Sequence, residues 1–247
     1  ASTSSWKVDY GNTPLFIAKD KSGKAQPITG GLTLSSHPET AQLWVFFGTG
    51  KFLESGDSIN SDTQSWYGIT DGSLIGSRSQ LVDRTMTNVS YTNPDTGEVR
   101  EGRSVPIAGV NDLNGKRGWV MDLVDDRERI TSKPRLVGSN LVMNTIIPDV
   151  DLCNPLGDGW IMAIDPFSGG RLKYHFFDLS RDDKFEDSDA LPENVAASGV
   201  KFQGMPGEPV FVGDEMLVGD SRVAIDKGRV NLQIKRGRLS WREVINQ

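Results

Sequence analysis

The residues best suited to chemistry lie in one acidic segment, 178–189, where oxygen-bearing side chains recur at alternate positions. Calcium is a hard cation that takes six to eight oxygen ligands, and a chain that curls round it presents every second residue inward. Counting the first aspartate as position 1 places an oxygen donor at positions 1, 3, 5, 7, 9 and 12 of a calcium loop. The predicted ligands are Asp178, Ser180, Asp182, the backbone carbonyl of Lys184, Glu186 and Asp189.

Two positions depart from the usual calcium loop. Position 6 is Asp183, where glycine normally supplies the sharp turn, and position 12 is Asp189 rather than the longer glutamate. Aspartate tolerates the required backbone better than most residues do. The apolar pattern of 172–179 predicts a strand, so the loop is expected to join strands rather than helices. The alternative is an ordinary acidic surface turn, in which so many carboxylates would repel one another without a cation.

A second acidic segment, 54–62, lacks this alternation over its full length. We interpret it as a solvated hairpin tip and assign it no metal.

No set of residues predicts catalysis or an organic cofactor. The two histidines, His37 and His175, have no evident acid or nucleophile partner. The segment 48–51 has Gly, Thr and Lys but lacks the spacing of a phosphate-binding loop. The basic cluster 235–238 alternates with apolar residues, which is typical of a hairpin turn rather than a nucleic-acid site. Four of the six tryptophans lie inside apolar strand patterns, which favours packing over sugar binding.

Composition excludes several other classes. The net charge of -6 disfavours a general role on nucleic acid or anionic lipid. No apolar run approaches the roughly 18 residues of a spanning helix, so no membrane span is expected. The start of the chain has no signal-peptide pattern, and we expect any export signal to have been removed or to precede it. Cys153 is the single cysteine, and one thiol permits neither an internal disulfide nor a thiolate metal cluster. We interpret it as a small buried apolar residue, with a partner outside this chain as the alternative.

The elements that must position the acidic loop are predicted from a repeated phrase. A proline precedes an apolar strand, and a second strand then ends on aspartate. The segments of the three copies and of a partial fourth are 26–28, 43–50 and 65–71, then 133–137, 141–145 and 159–165, then 208–212, 215–220 and 221–226, and finally 118–123.

Short strands joined by Gly or Asn turns, recurring in similar groups, are typical of propeller blades, which bury their faces against neighbouring blades. The sequence therefore predicts an all-β protein, a partial or modified β-propeller built from repeated antiparallel blades. Long polar stretches at 55–63, 93–118 and 148–159 reduce the expected number to about four blades in one domain, 1–247. A β-sandwich is the alternative, but it would not show such internal similarity.

Several strings of residues, in order, resemble the C-terminal propeller of the PilC or PilY family of type IV pilus tip proteins. They are 46–52, 64–69, 135–137, 144–148 and 159–165 followed by 169–170, together with the acidic segment 178–186. The resemblance extends from about Trp6 to Trp241 and implies that this chain is the later part of a longer propeller. In that family, a calcium loop with ligands at these alternating positions is tied to the balance of pilus extension and retraction.

The resemblance implies a non-enzymatic, calcium-binding module that supports pilus biogenesis, twitching motility and surface attachment. It implies an exported protein of the periplasm or outer surface, at the pilus tip, with Ca²⁺ as its cofactor. The implied partners are minor pilins and the pilus machinery, with a host-cell or abiotic surface receptor beyond them. Two other functions remain open on the residues alone, a quinone-dependent periplasmic dehydrogenase and a carbohydrate-binding propeller.

Overall fold

The computed structural model describes residues 9–92, 97–151 and 156–233, and nearly all of its regular elements are strands. The strands are β1 Thr33–Ser36, β2 Leu43–Gly48, β3 Ser65–Thr70, β4 Val82–Arg84, β5 Thr87–Thr92, β6 Val99–Ser104, β7 Gly118–Asp122, β8 Arg135–Val137, β9 Asn140–Ile147, β10 Asp158–Ile164, β11 Ala190–Leu191, β12 Val195–Ala196, β13 Gly199–Phe202, β14 Val210–Val212, β15 Glu215–Gly219 and β16 Ile225–Arg229. Short 3-10 helices lie at Asp9–Asn12, Ser55–Ile59, Arg78–Gln80, Asp187–Asp189 and Pro192–Asn194. The predicted all-β class is confirmed.

The strands form three larger sheets and one small hairpin. The first sheet has the order β1-β2-β3-β7-β4, the second β5-β6-β13-β10-β9-β8, and the third β14-β15-β16. The hairpin pairs β11 with β12. All neighbours are antiparallel except β4 and β7, which are parallel. Three sheets built mainly of consecutive antiparallel strands are the arrangement that the repeated phrase predicts.

Most strands of the repeated phrase are confirmed. The first copy gives β2 and β3, which are neighbours in the first sheet, and the fourth gives β7 beside them. The second copy gives β8, β9 and β10, which pair in that order in the second sheet. The third copy gives the third sheet. Each copy is therefore a unit of one sheet, because strands that are close in sequence pair with one another.

Three expectations about local structure are wrong. The last strand of the third copy begins at Ile225, because Asp220 accepts backbone and side-chain hydrogen bonds in a turn over 220–224. The segment 172–179 contains one isolated bridge, at Phe177, rather than a strand. The polar stretch 93–118 contains β6, whose sequence has few apolar residues. The expectations for Cys153 and for the basic cluster 235–238 lie outside the described residues.

Three apolar cores show that the sheets stack face to face. Trp66 and Trp119 of the first sheet meet Trp160 of the second in one core. The opposite face of the second sheet, through Ile161, meets Met216 of the third sheet in another. A third core covers the outer face of the first sheet. Alternate residues of β10 point to opposite faces, so the second sheet contributes to two cores at once.

A buried ionic network lies at the edge of the first core. Arg103 of β6 has no solvent exposure and donates to both carboxylate oxygens of Glu128, at 2.6 and 2.8 Å. It also donates to Asp125 at 3.1 Å and lies 4.0 Å over the ring of Trp160. Trp160 Nε1 donates to the same Asp125 carboxylate at 2.7 Å. The charge of Arg103 is thus fully matched inside the protein.

The number of blades stays a prediction. The described residues form three sheets of three or more strands and one two-stranded hairpin. The expectations that this chain is one domain, and that it is the later part of a longer propeller, likewise stay predictions.

Candidate metal centre

The acidic loop 178–189 begins where the chain leaves the second core and ends where β11 begins. Phe177, buried in that core, forms an antiparallel bridge with Val230 just beyond β16. The Asp178 amide then donates to the Arg229 carbonyl at 3.2 Å. At the far end, the 3-10 helix Asp187–Asp189 leads directly into β11. The loop is therefore fixed at both ends by backbone pairing.

Asp178, the predicted first ligand, organises the first half of the loop. Its Oδ1 accepts the Arg181 amide at 2.6 Å, and its Oδ2 accepts the Asp183 amide at 3.0 Å. The Ser180 hydroxyl lies 3.4 Å from the same Oδ1. These bonds wind the chain round the carboxylate, so that positions 1 and 3 of the predicted loop lie together.

Asp183, at position 6, adopts the backbone conformation that calcium loops usually obtain from glycine. Its φ is 67°, in the left-handed region. Aspartate is among the few residues other than glycine that occupy this region readily. The turn required at position 6 is therefore present although the glycine is not. The side chain of Asp183 points away from the loop centre and pairs with Arg229 at 3.5 Å.

Asp189, at position 12, is fully buried and closes the loop from its other end. Its Oδ1 accepts the Ser180 amide at 2.9 Å, and its Oδ2 accepts the Glu186 amide at 3.1 Å. The second bond also caps the 3-10 helix Asp187–Asp189. This carboxylate therefore links positions 3, 9 and 12 through the backbone.

The remaining predicted ligands lie at the surface. The Lys184 ammonium is 3.3 Å from Asp182 Oδ2 and 3.6 Å from Glu186 Oε1. The Asp182 Oδ1 accepts the Lys184 amide at 2.9 Å. The side chain of Lys184 thus neutralises two carboxylates that were predicted to bind calcium. The sequence had predicted a role only for the backbone carbonyl of this residue.

The pKa values of the loop follow this division. Burial raises the pKa of Asp178 above its usual value, and the nearby negative charge of Asp189 raises it further. Hydrogen bonds from the Arg181 and Asp183 amides lower this pKa but do not cancel the increase. The pKa of Asp182 is lowered by the Lys184 amide, with contributions from the Lys184 ammonium and the Ser180 hydroxyl. Burial is thus the main cause of the raised pKa of Asp178, and repulsion from Asp189 is a smaller one.

The structure thus brings Asp178, Ser180 and Asp189 together, and it places Asp182 at the surface beside the Ser180 hydroxyl and Glu186 at the surface beyond it. Within the described residues, no group of three or more Asp, Glu, His or Cys side chains is already placed to hold a metal ion. The backbone fits a calcium loop at positions 1, 3, 6 and 12. The side chains of Asp182 and Glu186 would have to exchange their contact with Lys184 for the ion. The predicted ligand set stays a prediction.

One residue that sequence reasoning missed is Arg229. Its carbonyl receives the Asp178 amide and its guanidinium pairs with Asp183. It thereby connects the loop to β16, more than forty residues along the chain. No local pattern around either segment could have indicated this contact, because it depends on how the third sheet packs on the second.

The second acidic segment is not a solvated hairpin tip. It contains the 3-10 helix Ser55–Ile59, in which Asp57 is buried and accepts the Leu53 and Glu54 amides at 2.8 and 3.0 Å. Arg129, also buried, donates from its guanidinium to backbone carbonyls on either side of this helix. The buried Asp57 carboxylate and Arg129 guanidinium therefore hold this loop in place through hydrogen bonds to its backbone.

The tryptophans within the repeated strands are packing residues, as predicted. Trp44, Trp66, Trp119 and Trp160 are all buried in the core between the first and second sheets. Their rings are therefore not available as exposed platforms for sugar rings.

No helix within the three described ranges is long and apolar enough to cross a membrane.

Comparison with known proteins identifies related chains. The model of the PilY1 beta-propeller domain matches residues 1–91. A "Type IV pilus biogenesis factor PilY1 homolog" from Xylella fastidiosa is 36% identical over 99% of this chain and 19% of its own length. The "Type IV pilus biogenesis factor PilY1" of Pseudomonas aeruginosa is 29% identical over 99% of this chain and 23% of its own length. This chain thus spans about a fifth of the length of these curated relatives.

A solved structure has the same fold. The crystal structure of the Pseudomonas aeruginosa PilY1 C-terminal domain superimposes with a TM-score of 0.72 at 26% identity, covering 90% of this chain and 49% of that one. Together with the stacked antiparallel sheets, these similarities confirm the predicted propeller-type fold.

Proposed function

The chain belongs to the PilY1 family, and on that premise we propose that it is a calcium-binding, non-enzymatic part of a type IV pilus biogenesis factor. The observation that carries this proposal is the 36% identity to a relative named for that role, maintained along 99% of the chain. Because the similarity extends over the whole chain, it includes both the repeated strands and the acidic loop and does not depend on one short motif.

Calcium binding is supported by the geometry of the acidic loop. Asp178, Ser180 and Asp189 already converge through hydrogen bonds, and Asp183 already supplies the left-handed turn. Calcium would be held by Asp178, Ser180, Asp182, the Lys184 carbonyl, Glu186 and Asp189. When bound, the ion would supply positive charge between the buried Asp189 carboxylate and the half-buried Asp178 carboxylate.

The proposed role of calcium is to favour the ordered form of the loop. A ligand that binds only one state stabilises it by an amount set by the ratio of its free concentration to its dissociation constant. An ordered loop then presents a defined surface to a minor pilin or another part of the pilus machinery. Through this contact, the exported protein would support pilus extension, twitching motility and attachment from the pilus tip.

The proposal is tested in cells with the full-length protein. Replacing Asp182 with Asn removes one proposed ligand, whereas Asp183→Asn makes the same chemical change at a position that points away from the loop centre. We expect Asp182→Asn to reduce surface pili and twitching, and Asp183→Asn to leave both unchanged. Normal piliation and twitching with Asp182→Asn would contradict a role for calcium at this loop.

A binding experiment separates the partner from the ion. The soluble domains of the minor pilins of the same organism are mixed with the purified chain in calcium or in chelator. Capture in calcium that is lost in chelator is the expected result. Equal capture in both conditions would leave the pilus assignment standing and reject calcium control of the contact, and no capture in either would reject the partner.

A further inference from the structure

Strand β16, Ile225–Arg229, is the edge of the third sheet, and its hydrogen-bonding pattern can be read from its neighbours. The Val230 amide donates to the Asp214 carbonyl, and the Asp220 amide donates to the Ala224 carbonyl. In an antiparallel pair, hydrogen-bonded and non-bonded positions alternate. The residues of β16 that bond to β15 are therefore Asp226 and Gly228, and the peptide groups of Ile225, Lys227 and Arg229 point away from the sheet.

The segment 176–178 pairs with the end of this outer edge, and the pairing does not continue along β16. The Asn231 amide donates to the Phe176 carbonyl, and the Asp178 amide donates to the Arg229 carbonyl. Continued in register, the chain would next bring residue 180 opposite Lys227. Instead it turns into the acidic loop, where the Ser180 amide bonds to Asp189. Within the described part of the chain, the outward peptide groups of Lys227 and Ile225 have no backbone partner.

A groove of about 510 Å³ runs beside this open edge. Residues 226–229 form one wall, and parts of β6 and β13 form the other. Those two strands pair only at Gly199 with Arg103 and at Val200 with Gly102, and the groove opens beyond that point. Its apolar lining is contributed by Phe177, Leu179, Val200, Phe202 and Met216. A side chain at Gly228 would meet nothing within 4 Å, so there is open space above the edge strand.

We propose that this groove is a strand-acceptor site, in which an extended peptide segment of a partner protein pairs with the outer edge of β16. The segment would continue the pairing that Phe176 and Asp178 begin, taking the place opposite Lys227 and Ile225. In strand addition, main-chain hydrogen bonds supply affinity and alternate side chains fill pockets. The apolar lining fits a segment in which alternate residues are apolar.

The charges of the groove favour an extended peptide over an anionic ligand. Arg100 pairs with Glu98 at 2.7 Å, and Lys201 pairs with Glu101 at 2.6 Å. Arg222 pairs with Asp226 at 3.1 Å. Lys227 and Arg229 also line the groove and pair with Glu215 and Asp183, so little unmatched positive charge is left to select a phosphate or a nucleic acid. The outward peptide groups of Lys227 and Ile225, by contrast, have no backbone partner among the residues that the structure describes.

The groove adjoins the metal centre, because Asp178, Leu179 and Arg181 also line it, but strand pairing at β16 requires neither calcium nor pilus assembly. Its sharpest test removes one backbone donor without disturbing the sheet. Lys227→Pro deletes an amide that points away from β15, and proline is tolerated on edge strands. Lys227→Gln is the matched control, because it keeps the amide and loses the same side-chain pair with Glu215. Gly228→Val fills the open space above the strand.

The probe is a phage-displayed library of random peptides about twelve residues long, selected on the wild-type chain. We expect selected peptides to have alternating apolar residues and to slow amide hydrogen exchange at Lys227 by about tenfold or more. Lys227→Pro and Gly228→Val should each weaken binding by about tenfold, and Lys227→Gln should bind within about threefold of wild type.

Three results would overturn the proposal. Selection could yield no peptide above background. The selected peptides could bind Lys227→Pro and Gly228→Val as tightly as wild type. Binding could leave exchange at the Lys227 amide unchanged. The last measurement uses the wild-type chain alone, so it decides the matter even where a variant fails to fold, and urea unfolding of each variant identifies such a failure.

Discussion

Asp189 offers the clearest separation of a structural carboxylate from a calcium ligand. It accepts the Ser180 and Glu186 amides, at 2.9 and 3.1 Å, from a fully buried position. Asparagine has almost the same shape but offers one acceptor oxygen in place of two. Asp189→Asn should therefore break one of these bonds. It would also place the side-chain NH2 of asparagine against a backbone N–H, and neither group can accept a hydrogen bond from the other.

The size of the effect follows from the kind of bond lost. A hydrogen bond to a charged group contributes about 1.5–3 kcal/mol. Relief of the repulsion between Asp189 and Asp178 offsets a little of that loss. We expect the free energy of opening the loop to fall by about 2 kcal/mol, which corresponds to an approximately 30-fold loss of protection against hydrogen exchange.

The assay is amide hydrogen exchange at Ser180 and Glu186 in calcium-free buffer. Asp182→Asn is the control, since its side chain lies at the surface and its loss should leave this protection unchanged within about twofold. Protection in Asp189→Asn equal to wild type would refute the assignment of Asp189 as the tether that closes the loop.

Three further predictions concern the turn, the pH and the core. Asp183→Gly should bind calcium at least as tightly as wild type and more tightly than Asp183→Ala, because alanine at a φ of 67° costs about 1–2 kcal/mol; calorimetry with the reverse order would contradict this. Calcium affinity should fall as the pH is lowered through the raised pKa of Asp178, because the protonated carboxyl cannot bind the ion; equal affinity at pH 7 and at about pH 4 would be inconsistent with Asp178 as a ligand. Arg103→Met should lower the free energy of unfolding by about 3–5 kcal/mol by leaving Glu128 buried without its cation; a loss below about 1 kcal/mol in urea would show that the network does not stabilise the fold.

The fold was predictable from sequence where apolar alternation and turn residues coincide. Strands β9 and β10 combine an apolar run with flanking Gly, Asn and Pro residues, so their positions and pairing follow from local pattern. Strand β6 could not be found in this way. Its inward residue Arg103 is charged, and the charge is acceptable there only because Glu128 and Asp125 come from a distant segment.

The candidate site shows the same limit. The linear spacing of oxygen donors in 178–189 predicted which residues belong to the loop. It could not predict that Asp189 turns inward to bind amides while Lys184 holds Asp182 and Glu186 at the surface. Those choices depend on burial and on competing hydrogen bonds, which the spacing does not contain. The segment 172–179 failed as a strand for a related reason, since its apolar residues fill the second core from an irregular chain.

Calcium binding at the acidic loop is tested most directly by titrating the purified chain with calcium in a calorimeter, beside Asp182→Ala. We expect wild type to bind one ion per chain with a Kd between about 1 µM and 1 mM, and Asp182→Ala to bind about tenfold more weakly or not at all. A wild-type chain that takes up no calcium would contradict the account, and unchanged affinity in Asp182→Ala would place the ion elsewhere.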